Sequence, residues 1–216
     1  MNIEVLRDVQ ESIMADANEI RASLDQRGIR MFNLMGGDGC GKTRMLERLL
    51  PTIADRVRCA VLEGDITTTL DAERIAKANV PVIQLQTDGC CHLEPSLIRK
   101  GLDKLPLDDL DVIIVENVGN LVCPAEFDIG EHHRIGMLSV TEGHDKPLKY
   151  PLLFGQADAI VISKMDLLEY TNFDLDQCTR NIRTVNKKAP IFEDSAEWHF
   201  DPSFLDWLAV KHATCT

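Results

Sequence analysis

The stretch GGDGCGKT, residues 36–43, limits what this chain can fold into more than any other part of it. It is preceded by the apolar run RMFNLM (30–35) and followed by KTRMLERLLPTIA, which is helical in pattern as far as its late proline. A glycine-rich turn between a strand and a helix start lets backbone amides converge on phosphate. The first amides of a helix lack partners within it, and its dipole favours negative charge there. Gly36, Gly39 and Gly41 allow the inward turn, Lys42 adds a point charge near the β and γ phosphates, and Thr43 offers a hydroxyl to Mg²⁺. The expected nucleotide-binding stretch is therefore Gly37, Asp38, Gly39, Cys40, Gly41, Lys42, Thr43 and Arg44. Within it, Cys40 holds a variable position and Arg44 reads as a solvated helix residue.

The remaining sequence supplies layers for such a loop to stand on. Residues 4–27 place Val5, Val9, Ile13, Ile20 and Leu24 at helical spacing, and Gly28 closes the segment. Apolar runs recur at 57–63, 80–86, 111–118, 133–141 and 157–164, several without polar alternation, as in strands buried on both faces. The helical stretches DAERIAKA, PSLIRKGLDKL and FDLDQCTRNIRTVNKK separate most of them. This alternation predicts an α/β P-loop NTPase with a mostly parallel sheet flanked by helices. A chain of 216 residues fits one such domain over 1–216, with an N-terminal helix at 1–28 and a nucleotide- and metal-binding core at 30–212. KYPLLFG (149–155) suits either a short helix or a turn.

A net charge of −12 argues against nucleic acid or anionic lipid as a partner, since a phosphate backbone needs clustered Lys and Arg. The opening MNIEVLRDVQES has no apolar run of the signal-peptide kind, and no later segment reaches membrane-spanning length. With seven unevenly spread cysteines a disulfide framework is not expected, so the reading is a cytoplasmic protein with reduced thiols and no membrane partner.

Hydrolysis at such a loop also needs carboxylates at the ends of neighbouring strands. Asp65, after VLEG, and Glu116, opening ENVG, stand where they are needed, and Gly119 can bring an amide near the γ phosphate. Lys42, Asp65 and Glu116 are the expected catalytic residues, and Thr43, Asp65 and Glu116 the expected Mg²⁺ partners. SKMD (163–166) follows ADAIVI where guanine-specific P-loop proteins carry Asn, Lys, any residue, Asp. Asp166 would accept from guanine N1 and N2 while the stem of Lys164 packs on the ring. Hydrogen bonds to a charged group contribute roughly 1.5–3 kcal/mol each, enough for about ten- to a hundredfold preference over adenine. Ser163 in place of Asn is expected to weaken one contact and soften the selectivity, and Ser195-Ala196 could offer a backbone amide to O6.

TDGCCHLE (87–94) raises a separate question of metal binding. Consecutive strand residues point to opposite faces, so Cys91 and His92 can share an ion only from a loop or helix start, and Pro95 suits the first turn of a following helix. Cys123, soon after ENVGNLV, is a plausible third donor close to the γ phosphate pocket. Two thiolates and an imidazole suit Zn²⁺ or Ni²⁺, and a two-fold dimer could complete the shell. Cys90 ranks below Cys91, Cys59 and Cys178 read as core, and Cys215 lies in a tail.

Six blocks, NLMGGDGCGKTRML, EGDITTTLDAERI, GCCHLE, ENVGNLVCPAEFDIGE, LSVTEGHDKPLKYP and ISKMDLL, together resemble the hydrogenase nickel-incorporation GTPases of the HypB type, within the SIMIBI class of P-loop GTPases. The resemblance runs from about residue 5 to 208. It implies GTP/GDP and Mg²⁺ at the loop, Ni²⁺ or Zn²⁺ at Cys91, His92 and Cys123, GTP-linked homodimerisation, and Ni²⁺ delivery to the large subunit of [NiFe] hydrogenase with accessory maturation proteins. Asp71 matches a switch carboxylate, and Lys146 and Lys149 a basic stretch near the dimer interface. MNIEVLRD has neither the cysteine-rich motif nor the histidine tract found at the start of some members, so transfer rather than storage is expected. Competing readings are a P-loop ATPase or small-molecule kinase with structural thiols, a nickel protein with a decayed nucleotide site, and a urease-type nickel GTPase.

Overall fold

Seven apolar runs join one sheet in the computed structural model, which describes residues 3–66, 69–197 and 200–213. The strands are β1 (Arg30–Gly36), β2 (Cys59–Asp65), β3 (Val82–Gln86), β4 (Val112–Glu116), β5 (His133–Ser139), β6 (Ala159–Ser163) and β7 (Ile191–Glu193). Their order is β3-β2-β4-β1-β5-β6-β7 and every pairing is parallel, so the sheet is parallel throughout. β1, β4 and β6 are buried along their whole length, as strands covered on both faces must be. With all strands aligned, their C-terminal ends share one edge. The order in which strands are added reverses at β1, between β4 and β5, which opens a crevice for a ligand.

The helices are α1 (Ile3–Gln26), α2 (Lys42–Ile53), α3 (Leu70–Ile75), α4 (Pro95–Leu102), α5 (Cys123–Glu126), α6 (Lys146–Lys149), α7 (Pro151–Gln156), α8 (Leu175–Val185) and α9 (Pro202–Ala213). One face packs Leu46 and Leu49 of α2 and Phe204 of α9 on Phe32, Val61 and Ile114. The opposite face packs Ile20 and Leu24 of α1 and Ile98 of α4 on Met31, Leu62 and Ile113. A third cluster joins Leu153 and Phe154 of α7 and Ile182 of α8 to Ile160 and Ile162.

Local chemistry accounts for the element ends. Gly28 adopts φ +71°, and the Gly28 and Ile29 amides donate to the Asp25 and Leu24 carbonyls, closing α1. Of the apolar positions expected on α1, Ile20 and Leu24 are buried and Ile13 is half-buried, while the side chains of Val5 and Val9 lie outside those described. KYPLLFG resolves as the end of α6 and then α7, with Pro151 in the first turn, where its missing N–H costs nothing. Cys59 and Cys178 are core residues, and Cys215 lies outside the described residues. Among the described residues no helix is long and apolar enough to cross a membrane.

Candidate functional site

The loop between β1 and α2 borders a cavity of about 530 Å³ at the C-terminal edge of the sheet, walled by Asp38, Lys42, Thr43, Asp65, Glu116 and Lys164 among others. Gly41 holds φ +104°, which a side chain would strain, and brings its amide into the first turn of α2. Gly36 is needed for close packing, since a Cβ there would stand 2.8 Å from the Met137 carbonyl oxygen. Lys42 is buried and its Nζ donates to the Gly37 carbonyl at 3.4 Å, so the ammonium lies along the loop. Asp38 and Gly39 are exposed on the outer rim, and Arg44 points outward to pair with Glu47. The Cys40 side chain faces the core, where burial pushes its thiol up to about 11, so only its backbone belongs to the loop.

The inner wall is acidic. Thr43 Oγ1 donates to Glu116 Oε1 at 2.7 Å. Burial raises the Glu116 carboxyl to about 7 against the opposing pull of the Thr43 hydrogen bond and the Lys42 charge. Asp65, at the end of β2, is half-buried and accepts from the Ile66 amide. One carboxylate was missed in the sequence. Glu63 stands opposite Glu116 in the β2–β4 register and is 2% exposed, and burial followed by repulsion from Glu116 lifts it to about 8. Its only signal is an acid within an otherwise apolar run, two residues before Asp65 and hence on the same face of the strand. Glu63 Oε2 and Glu116 Oε2 are both buried without a hydrogen-bond partner. With the Thr43 hydroxyl and Asp65 they line the cavity with the oxygen chemistry that a hard divalent cation such as Mg²⁺ prefers, although among the described residues no three acidic side chains close on one point there. Asp71 also lines the cavity and pairs with Arg74 at 2.8 Å, and Arg74 is further held by Glu47.

On the far side, Lys164 lies on the cavity wall in a left-handed turn, φ 58°. Asp166 accepts from Ser195 Oγ at 2.6 Å, which fixes its carboxylate, and Ala196 follows at the surface. Ser163 turns away from the cavity and donates to the Cys40 carbonyl at 2.7 Å. It ties β6 to the phosphate loop.

The three soft donors lie near one another and outside the cavity lining. Cys91 Sγ is 3.8 Å from His92 Nδ1, and the neighbouring Cys91 thiol raises the pKa of Cys123. They gather without closing on one point, because among the described residues no three His, Cys, Asp or Glu side chains are arranged to hold a metal ion. The His92 ring stacks flat on Phe127 at 3.8 Å, which leaves Nδ1 toward Cys91 and Nε2 buried without a hydrogen-bond partner. Asn120 connects the two regions: its Oδ1 accepts from the Val122 and Cys123 amides and its Nδ2 donates to Cys123 Sγ. Cys90 is exposed next to them. Lys146 lies over the Tyr150 ring and Lys149 pairs with Asp145, both away from the cavity walls.

Residues 30–193 match the model of the CobW/HypB/UreG nucleotide-binding domain, which spans the strands and loops just described. The chain belongs to the CobW/HypB/UreG family. Its resemblance to HypB proteins holds over nearly its full length. It is 45% identical over 210 residues to the hydrogenase maturation factor HypB of Escherichia coli, covering 97% of this chain and 72% of that relative. The crystal structure of Helicobacter pylori HypB in complex with nickel superposes with a TM-score of 0.87 at 39% identity, covering 93% of this chain and 95% of that one. The signal recognition particle receptor FtsY of Elizabethkingia anophelis, at 13% identity and TM-score 0.58, shares the P-loop GTPase fold alone.

Proposed function

We propose that this protein is a slow GTPase that carries Ni²⁺ to the maturing [NiFe] hydrogenase large subunit. In this reading it acts in the cytoplasm, with accessory maturation proteins and as a homodimer. The observation that carries the proposal is the short path from Glu116, on the cavity wall, through Gly119 and Asn120 to Cys123, whose pKa the neighbouring Cys91 thiol raises. One segment thus borders both the triphosphate pocket and the thiol pair.

In this reading Lys42 and the loop amides hold the β and γ phosphates, and Thr43, Asp65 and Glu116 hold Mg²⁺ with Glu63 behind them. Mg²⁺, held there, would offset the negative charge of the phosphates. Glu116, raised to about 7, gives up its proton on ligand entry and with Asp65 orients the attacking water, while Gly119 turns its amide toward the γ phosphate. Asp166 reads guanine N1 and N2, the stem of Lys164 covers the ring, and the Ser195-Ala196 amides face O6. Among the described residues the two arginines that line the cavity, Arg44 and Arg74, are both paired with acids, so neither is free to neutralise the transition state and unassisted turnover is slow. Cys91, His92 and Cys123 take Ni²⁺ as cargo, Zn²⁺ fits the same donors, and a second copy completes the shell. GTP draws the segment from Glu116 to Cys123 inward and hydrolysis releases it, which changes the hold on the metal.

Calorimetric titration of Ni²⁺ with and without a non-hydrolysable GTP analogue tests the coupling. The expected shift in metal affinity is about fivefold or more, and superimposable isotherms would refute it. Replacing both Cys91 and Cys123 by Ala should abolish stoichiometric Ni²⁺ binding and leave GTP binding intact.

A further inference from the structure

Lys164 lines the nucleotide cavity but its neighbour Ser163 does not. The Ser163 side chain is 2% exposed, with the Cys40 carbonyl oxygen 2.7 Å from Oγ on one side and that of Leu138 at 3.4 Å on the other. A hydroxyl carries one proton, and here it is committed to the phosphate loop. Guanine presents N7 and O6 as acceptors on one edge, and an acceptor can be read only by a donor. Ser163 therefore has nothing to give N7. Asp166 accepts from Ser195 Oγ at 2.6 Å, and as a carboxylate it cannot donate either.

We infer that Ser163 is a positioning residue for the phosphate loop and not a reader of the base, so the site recognises guanine without N7 and accepts 7-deazaguanine nucleotides as readily as guanine ones. The inference rests on the guanine-nucleotide reading and specifies which atoms of the base are sensed. It also separates two effects that a side chain at this position could combine: holding the loop in shape, which affects every nucleotide alike, and contacting the ring, which would affect purines selectively.

The test is equilibrium titration of GDP, 7-deaza-GDP and ADP, each with Mg²⁺, into the native protein and into Ser163→Ala and Ser163→Asn. In the native protein 7-deaza-GDP should bind within about twofold of GDP, and ADP about tenfold or more weaker. Ser163→Ala leaves the buried Cys40 carbonyl without its donor, so GDP and 7-deaza-GDP should weaken by the same factor, about fivefold or more, with their ratio unchanged. Ser163→Asn supplies an amide long enough to reach the base and should make 7-deaza-GDP weaker than GDP by about fivefold. A native protein that binds 7-deaza-GDP more than about fivefold worse than GDP reads N7, and the inference falls. A change in the ratio on Ser163→Ala would overturn it too. The native comparison needs no variant, so misfolding of either substitution leaves the decisive measurement in place. ADP binding as tight as GDP would instead overturn the guanine reading itself, and the inference with it.

Discussion

Glu63→Gln replaces a buried carboxyl by a neutral group of the same shape, and the structure gives the sign and size of the effect. The carboxyl is moved from its ordinary 4.5 to about 8, chiefly by burial. Between those two values the native state keeps a proton that the unfolded chain has released, so native stability falls as pH rises through this window and levels off above about 8. At pH 7 the penalty is about 3 kcal/mol, taking 1.36 kcal/mol per pH unit over the distance from 4.5. Glutamine never ionises and escapes it, but it buries an amide without an evident partner, which costs about 1–3 kcal/mol. The expected net result at pH 7 is a stabilisation of about 1 kcal/mol, or about 2–4 °C in Tm for a chain of this size. Near pH 4.5 the penalty vanishes and the amide's cost of about 1–3 kcal/mol remains as a net loss. The assay is thermal denaturation of the nucleotide-free protein at half-unit steps from pH 5 to 8.5, with native and variant side by side. Parallel Tm profiles would show that Glu63 titrates normally, and the account of the acidic wall would fail.

Other outcomes follow from the same geometry. Saturation with GDP and Mg²⁺ should be favoured by raising the pH from 6 to 8, because Glu116, held near 7, must lose its proton to meet a cation; a flat profile of affinity against pH would contradict this. Asn120→Ala should leave nucleotide-free Ni²⁺ binding nearly intact and reduce the effect of GTP on it by about fivefold, read by paired calorimetric titrations. Asp166→Asn should shift preference from GTP toward XTP in competition binding. Leu24→Ala removes a side chain that is 1% exposed between α1 and the sheet, and should cost about 2–5 kcal/mol in denaturant unfolding.

Much of the layout was legible because burial on both faces writes itself as unbroken apolar runs, and each such run became a strand. The phosphate loop was legible for a different reason: its chemistry depends on residues adjacent in the chain. What the sequence could not reveal depends on neighbours far apart in it. Glu63 acquires its meaning from the register that sets it against Glu116, and no local pattern encodes the order β3-β2-β4. Ser163 was expected at the base, but its partner is a carbonyl 123 residues away on the loop. The expected thiols Cys91 and Cys123 lie near enough for the one to raise the pKa of the other. Among the described residues they do not close on one point with His92, whose ring stacks on Phe127, a partner that no local pattern singles out.

The buried thiols bear on how cleanly such a protein could handle its cargo. Cys40, Cys59 and Cys178 are sealed in the core and stay protonated, at about 11, 12 and 12. They offer passing copper or zinc no foothold, so among the described residues the thiols that solvent reaches are Cys90, Cys91 and Cys123 alone.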